Sequence, residues 1–338
     1  MHPFPSAEYE IIEKIKSALS NSGDNPSYEE MIGDDAAVRV GSDREKLIIT
    51  ADVSVENVHF STDYMTLEQI AYKAMVSNIS DCAAMGAVPD SAVVQLVFPK
   101  HQEKTISQIE KIYLGFSKAT EKWKFPIVGG DISAGPVWVI AVTLMGRVPQ
   151  GGRVLKRKGI RPGDRLWVTG VPGRSSAGLA ALNYYGPGAV PEMYCSLLEA
   201  HISPAPRIEA AVLLASDKRV HAGMDLSDGL SKDVGTLCYE NGIGFLFETN
   251  YLQHCGEMVK LAEELSRECA EWFYHGGEEY ELLFAADETF NPDEKCYKEL
   301  GLKFISLGRF TPEYNGMMVR DSQNRLQVLT AESYDHCR

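Results

Sequence analysis

Positive charge is scarce in this sequence. Lys and Arg number 33 against 47 Asp and Glu, which leaves a formal net charge of −14. No dense basic stripe interrupts that balance, so the chain does not read as a nucleic-acid binder. A run of 18 apolar residues is also missing, which argues against a membrane-spanning helix. The seven cysteines form no C-x-x-C pair and are odd in number, so neither a disulfide framework nor a zinc site is expected. A reducing cytoplasm is the expected setting, and the opening MHPFPSAEYE lacks the basic and apolar regions of a signal peptide. Two familiar ATP signatures are absent: the G-x-x-x-x-G-K-[ST] loop and the protein-kinase set. No short-period repeat or low-complexity tract is present.

What the chain has instead is carboxylate in clusters. Met224-Asp225-Leu226-Ser227-Asp228-Gly229-Leu230 places two carboxylates and a hydroxyl within four residues. The composition recurs at Gly33-Asp34-Asp35-Ala36-Ala37, Thr50-Ala51-Asp52, Ser80-Asp81 and Gly129-Gly130-Asp131. Taken singly, an Asp beside Gly or Ser fits a turn or a helix cap equally well. Five such clusters, each expected near a strand end, read together as one metal–phosphate site, because hard cations such as Mg²⁺ take oxygen ligands. An acidic protein that handles anionic phosphates needs cations as mediators.

Length and composition fit a soluble globular protein of two domains: 338 residues, 44% hydrophobic and 24% charged. Apolar spacing predicts helices over 7–20, 66–86 and 105–123, with strands over 46–52, 91–98, 126–131 and 137–146. Periodicity lapses in the Gly-, Pro- and Lys/Arg-rich stretch 148–163. Beyond it, strands are predicted at 164–170, 219–224, 243–248, 281–286, 303–308 and 316–320. Helices are predicted at 175–185, 193–201, 206–216, 229–241, 257–270 and 293–300. This alternation implies an α/β and α+β two-domain chain, divided as 1–148 and 149–338.

The motifs, taken in order, resemble the thiamine-monophosphate kinase family. That family belongs to the aminoimidazole ribonucleotide synthetase-like superfamily, with selenophosphate synthetase and a hydrogenase-maturation protein. The matching stretches are IGDDAAV at 32–38, TADVSVENVHF at 50–60, KAMVSNISDCAAMGAVP at 73–89, VGGDISAGP at 128–136, TGVPGRSSAGL at 169–179, MDLSDGL at 224–230 and GGEEYELLF at 276–284. They span nearly the whole chain, and VHF with GGEEYELLF singles out the kinase. Against a selenophosphate synthetase, the first 81 residues hold no Cys. Against a non-catalytic binding protein, every expected carboxylate is present.

The resemblance implies ATP-dependent phosphorylation of thiamine monophosphate to thiamine diphosphate, assisted by several Mg²⁺ ions. It implies metal ligands at Asp35, Thr50, Asp52, Asp81, Asp131, Asp225 and Asp228; for Asp34, turn chemistry offers a local cap as the alternative to a metal ligand. It places ATP against Tyr113, Gly129, Gly130, Asp131, Arg157 and Ser227, and thiamine monophosphate against His59, Glu278 and Tyr334. The N-terminal domain would bind ATP and metal and pair with a second copy through its sheet; the C-terminal domain would complete the site. Four positions depart from the usual pattern: Ala51 for Thr, Asn57 for Gly, Glu279 for Asp, and Cys82 inside the SD-x-AAMG helix.

Overall fold

Strand-forming runs of Val, Ile and Leu gather into two separate sheets in the computed structural model, which describes residues 7–19, 26–41, 45–100, 105–248, 250, 253–320 and 325–333. The first sheet holds β1 (Tyr28–Glu30), β2 (Ala37–Val40), β3 (Lys46–Val55), β4 (Val88–Pro99), β5 (Ile127–Gly135) and β6 (Val139–Arg147). Their order is β1-β2-β3-β6-β4-β5. All neighbours run antiparallel except β4 and β5. Helix α1 (Ala7–Leu19) precedes this sheet, α2 (Leu67–Ala84) links β3 to β4, and α3 (Thr105–Trp123) links β4 to β5. A crossover helix of that kind is what a parallel pair requires.

The second sheet holds β7 (Arg165–Thr169), β8 (Val220–Leu226), β9 (Gly244–Phe247), β10 (Glu281–Ala286), β11 (Phe304–Thr311), β12 (Met317–Arg320) and β13 (Leu326–Val328). Their order is β13-β12-β9-β11-β7-β10-β8, with β12 and β9 the parallel pair. Its helices are α4 (Arg174–Tyr185), α5 (Cys195–Ile202), α6 (Ile208–Ser216), α7 (Leu230–Asn241), α8 (Gly256–Leu265), α9 (Cys269–His275) and α10 (Lys295–Lys298).

Helix α2 joins the halves. Thr66 and Gln69 form a capping box: the Gln69 N–H donates to Thr66 Oγ1 at 3.3 Å, and the Thr66 N–H donates to Gln69 Oε1 at 2.9 Å. Beyond that cap the helix is buried nearly all round, through Ile70, Ala71, Met75, Val76, Ile79, Cys82 and Ala83. Such a helix must have neighbours on every side. It packs on β3, β4, β6 and α3, and also against β8, α5 and α6. One apolar core therefore runs from Val38, Ile48 and Leu144 to Leu214, Val220 and Phe284. A second, around Val168, Phe245, Phe273 and Leu283, belongs to the second sheet alone.

Three details differ from the sequence expectations. The short strands β1, β2 and β13 were not anticipated. The helix expected over 257–270 is two helices, because Ser266 turns left-handed at φ 53 and caps α8. Asp52 and Asp131 lie inside β3 and β5 rather than at strand ends. Among the described residues, no helix is long and apolar enough to cross a membrane.

Candidate active site

A cavity of about 700 Å³ draws its lining from both halves of the chain. The first half supplies Asp34, Asp35, Thr50, Asp52 and Asp81; the second supplies Arg157, Asp225, Ser227, Asp228 and Lys232. Tyr9 and Ile12 of α1 also line it.

Each carboxylate is delivered by a different element. Asp34 closes its own turn: its Oδ1 accepts the Asp35 N–H at 3.0 Å and its Oδ2 accepts the Arg157 N–H at 3.2 Å. Burial and the Asp35 charge push its carboxyl up to about 7. Asp35 receives the Arg157 guanidinium on Oδ1, with Nε at 3.0 Å, while its buried Oδ2 has no hydrogen-bond partner among the described residues. Asp81, on the last turns of α2, accepts from Thr50 Oγ1 at 2.5 Å. Burial first, and then the charges of Asp52, Asp225 and Asp35, raise its carboxyl well above the usual range. Asp52 sits on β3, and its N–H donates to Asn78 Oδ1 of α2 at 3.2 Å. Burial raises its carboxyl as well.

Asp225 is the next-to-last residue of β8. Its Oδ2 accepts from Ser80 of α2 at 2.7 Å and its Oδ1 from Ser227 at 3.3 Å. The Ser80 bond ties the two halves of the site together. Burial moves the Asp225 carboxyl up to about 6, even though Ser80 and Arg157 oppose the shift. Gly229 then turns the chain at φ 114, where an added Cβ would collide with Ser333 Oγ and the His275 carbonyl. The turn presents Asp228, which pairs with Lys232 of α7 at 2.8 Å.

Among the described residues, no three of His, Cys, Asp and Glu form a ready-made metal shell. The donor set nonetheless suits a hard cation. It is all oxygen, Asp81 and Asp225 are buried with carboxyls pushed up by burial and neighbouring carboxylates, and Asp35 Oδ2 has no hydrogen-bond partner among the described residues.

Other expected residues stand elsewhere. Asp131, Gly129 and Gly130 lie exposed on β5, and Tyr113 is 40% exposed on α3. Three strand spacings separate β5 from β3, about 14 Å, so within this chain Asp131 does not join Asp52. Gly130 has a packing role of its own, since a Cβ there would sit 2.0 Å from the Val94 carbonyl oxygen. His59 is half-buried in the loop after β3, where its Nδ1 accepts the Val55 N–H at 3.1 Å. Glu278 lies in a left-handed conformation, φ 60, and its N–H donates to the Ser227 carbonyl at 2.6 Å. That bond sets GGEEYE directly against MDLSDGL. Tyr334 lies outside the described residues.

Of the departures, Asn57 adopts φ 63, a conformation that Asn tolerates almost as Gly does. Glu279 points away from the cavity: its Oε1 accepts the Ser175 N–H in the first turn of α4 at 3.0 Å. Cys82 is fully buried, and Ala51 lines the cavity. Three residues with no role assigned from sequence also stand at the site. Asp233 accepts the Asp228 and Gly229 N–H groups, and Lys232 pairs with Asp228. Lys73 of α2 is buried against Glu278. The signals were available: Asp233 falls in the first turn of a helix, and Lys73 lies eight residues before Asp81, on one helical face.

The two sheets bridged by a buried helix, with an acid-lined cavity between them, define an aminoimidazole ribonucleotide (AIR) synthetase-like protein. Residues 33–148 match the AIR synthase related protein N-terminal domain. The thiamine-monophosphate kinase of Corynebacterium glutamicum is 31% identical over 295 residues, covering 87% of this chain and 85% of its own. That of Aquifex aeolicus is 33% identical, covering 84% and 88%. A solved structure, AaThiL complexed with AMPPCP and TMP, superposes with a TM-score of 0.80 at 30% identity, covering 97% of this chain and 96% of that one. The chain belongs to the thiamine-monophosphate kinase family and is an enzyme of that class.

Proposed function

We propose that the chain transfers the γ-phosphoryl group of ATP to the phosphate of thiamine monophosphate, giving thiamine diphosphate and ADP. The carrying observation is the convergence of carboxylates from both halves on one cavity, with Arg157 and Lys232 beside them. An oxygen of the thiamine monophosphate phosphate attacks the γ-phosphorus in line as the bond to the bridging oxygen of ADP breaks. That oxygen is already ionised near neutral pH, so no strong base is needed. The work left to the protein is positioning and charge neutralisation. Asp35, Asp52, Asp81, Asp225 and Asp228 would hold Mg²⁺, with Thr50 beside Asp81. When bound, Mg²⁺ supplies charge neutralisation for two polyanions and a template for their approach. Arg157 anchors Asp35, Ser80 anchors Asp225, and Ser227 faces the phosphates from the turn before α7. Glu278 and His59 take the thiamine end, together with Tyr334.

The N-terminal half, 1–148, and the C-terminal half, 149–338, are proposed as two domains, in keeping with one sheet in each. A homodimer is part of the same reading. Strand β5 ends its sheet with Val128 and Ile132 exposed, and it carries Gly129, Gly130 and Asp131. A second copy paired there would give these residues and Tyr113 a nucleotide to meet. Full activity from a monomer, established by light scattering, would remove that part.

The test is to incubate the pure protein with ATP, Mg²⁺ and thiamine monophosphate. Stoichiometric thiamine diphosphate and ADP are expected, with inversion at a chiral γ-phosphorus. No product would overturn the reading; retention would require a phospho-enzyme and overturn direct transfer.

A further inference from the structure

The face of α2 that carries Asp81 also carries a lysine. Lys73, Ser77 and Asp81 stand four residues apart and so share one side of the helix. Asp81 lines the cavity, and the Ser77 hydroxyl donates to the Ala74 carbonyl at 3.1 Å. Lys73 meets Glu278, its Nζ lying 2.9 Å from Oε1. The contact is one of charges without hydrogen-bond alignment: Lys73 Nζ is buried and has no hydrogen-bond partner among the described residues. The whole residue is only 5% exposed. His201 is buried nearby, and its Nε2 has no hydrogen-bond partner among the described residues. The other ring nitrogen of His201, Nδ1, lies 3.1 Å from Ser175 Oγ and 3.7 Å from Glu278 Oε2. Buried polar atoms without partners are costly and rare. Lys73 has the Glu278 carboxylate as its charge partner, and a buried ammonium needs one, so the two side chains are held to each other.

We infer that Lys73 is a positioning residue for the substrate: through its ion pair it holds the Glu278 carboxylate toward the heterocyclic end of thiamine monophosphate. The inference rests on the reading of Glu278 as a substrate-facing residue. Lys73 and Asp81 are separated by eight residues of helix, about 12 Å of rise. Thiamine monophosphate carries its rings and its phosphate at opposite ends. Helix α2 thus sets both ends from one buried, rigid element, with the ring end fixed through Lys73 and the phosphate end through Asp81. Glu278 needs such an anchor. It sits in an irregular, left-handed stretch, and its side chain is 31% exposed.

The test compares Lys73→Met, Glu278→Gln and the double variant, each by steady-state kinetics in both substrates and by thermal midpoint. Lys73→Met should raise KM for thiamine monophosphate about tenfold, while kcat and KM for ATP stay within about twofold. Lys73→Gln keeps a donor without the charge and should fall between wild type and Met; if the Met variant does not fold, Gln carries the test. The double variant should be no worse than the worse single one, because both changes act through one carboxylate. If Glu278→Gln raises that KM while neither Lys73 variant does, Lys73 has no positioning role and the reading of Glu278 stands. If Glu278→Gln also leaves KM unchanged, both fall. Effects that multiply in the double variant, or that raise KM for ATP equally, would overturn the inference as well.

Discussion

Strand β8 has an acidic group near each end, and the two are built on opposite principles. Just before the strand, Asp217 is surrounded by donors. Arg219 gives it Nε at 3.0 Å and Nη2 at 2.6 Å, and Tyr297 gives its hydroxyl at 2.7 Å. Burial works against the Asp217 charge, but these hydrogen bonds outweigh it and hold the carboxyl down at about 2. At the other end, Asp225 faces Asp35, Asp52, Asp81 and Asp228 across the cavity, and there burial wins. A carboxylate matched by its own donors is a strut. Carboxylates massed against one another leave charge for something from outside to neutralise. The residue type is the same at both ends; only the census of donors distinguishes structure from site.

The largest expected effect separates the two regions by their need for metal. Excess chelator should abolish turnover and Mg²⁺ should restore it, with no dependence on the Asp217 network. Undiminished turnover in chelator would place the cavity carboxylates in the same class as Asp217. Next come Asp225→Asn and Asp52→Asn, which keep volume and remove one charge. Each should lower kcat/KM by ~100-fold or more. The thermal midpoint should hold or rise, because a crowded buried charge has gone. Near wild-type activity in a folded variant would make that carboxylate a strut.

Asp217→Asn should do the reverse. A carboxyl held near 2 in the folded chain, below its ordinary 3.8, stabilises the fold above the ordinary value. That stability is lost as pH falls from about 4 to about 2, where the unfolded chain takes up the proton first. The variant should lose this acid limb in pH-dependent unfolding and keep its kcat/KM; an unchanged limb would deny the network its role. The smallest effect is that of Tyr297→Phe, which removes one donor from Asp217. A loss of about 1 kcal/mol in denaturant unfolding is expected, with activity unchanged.

The sequence was informative wherever chemistry sits in contiguous motifs. Asp35, Asp52, Asp81, Asp225, Asp228 and Arg157 all reach the cavity. Long periodic elements such as α3 (Thr105–Trp123) were legible to the residue. Strands β1 and β13, three residues each, are too short for alternation to register. The break between α8 and α9 was hidden because Ser266, and not a glycine, takes the left-handed turn. The placement of Asp131 could not be read from GGD alone. Strand order decides that β5 is an edge three strands away from β3, and strand order is a long-range property. Lys73 was visible on its helix but mute, since its partner Glu278 is remote in sequence and meets it only after both halves fold.

The two halves are proposed to build one metal–phosphate site rather than two neighbouring ones. The direct measurement is a double-mutant cycle on kcat/KM with Asp52→Asn from the first sheet and Asp225→Asn from the second, in saturating Mg²⁺, with folding checked for each. If both carboxylates serve one site, the double variant should be scarcely worse than either single variant, since residues that act as a unit are strongly non-additive. Losses that multiply in full would mean that the carboxylates act independently, and would contradict the shared site.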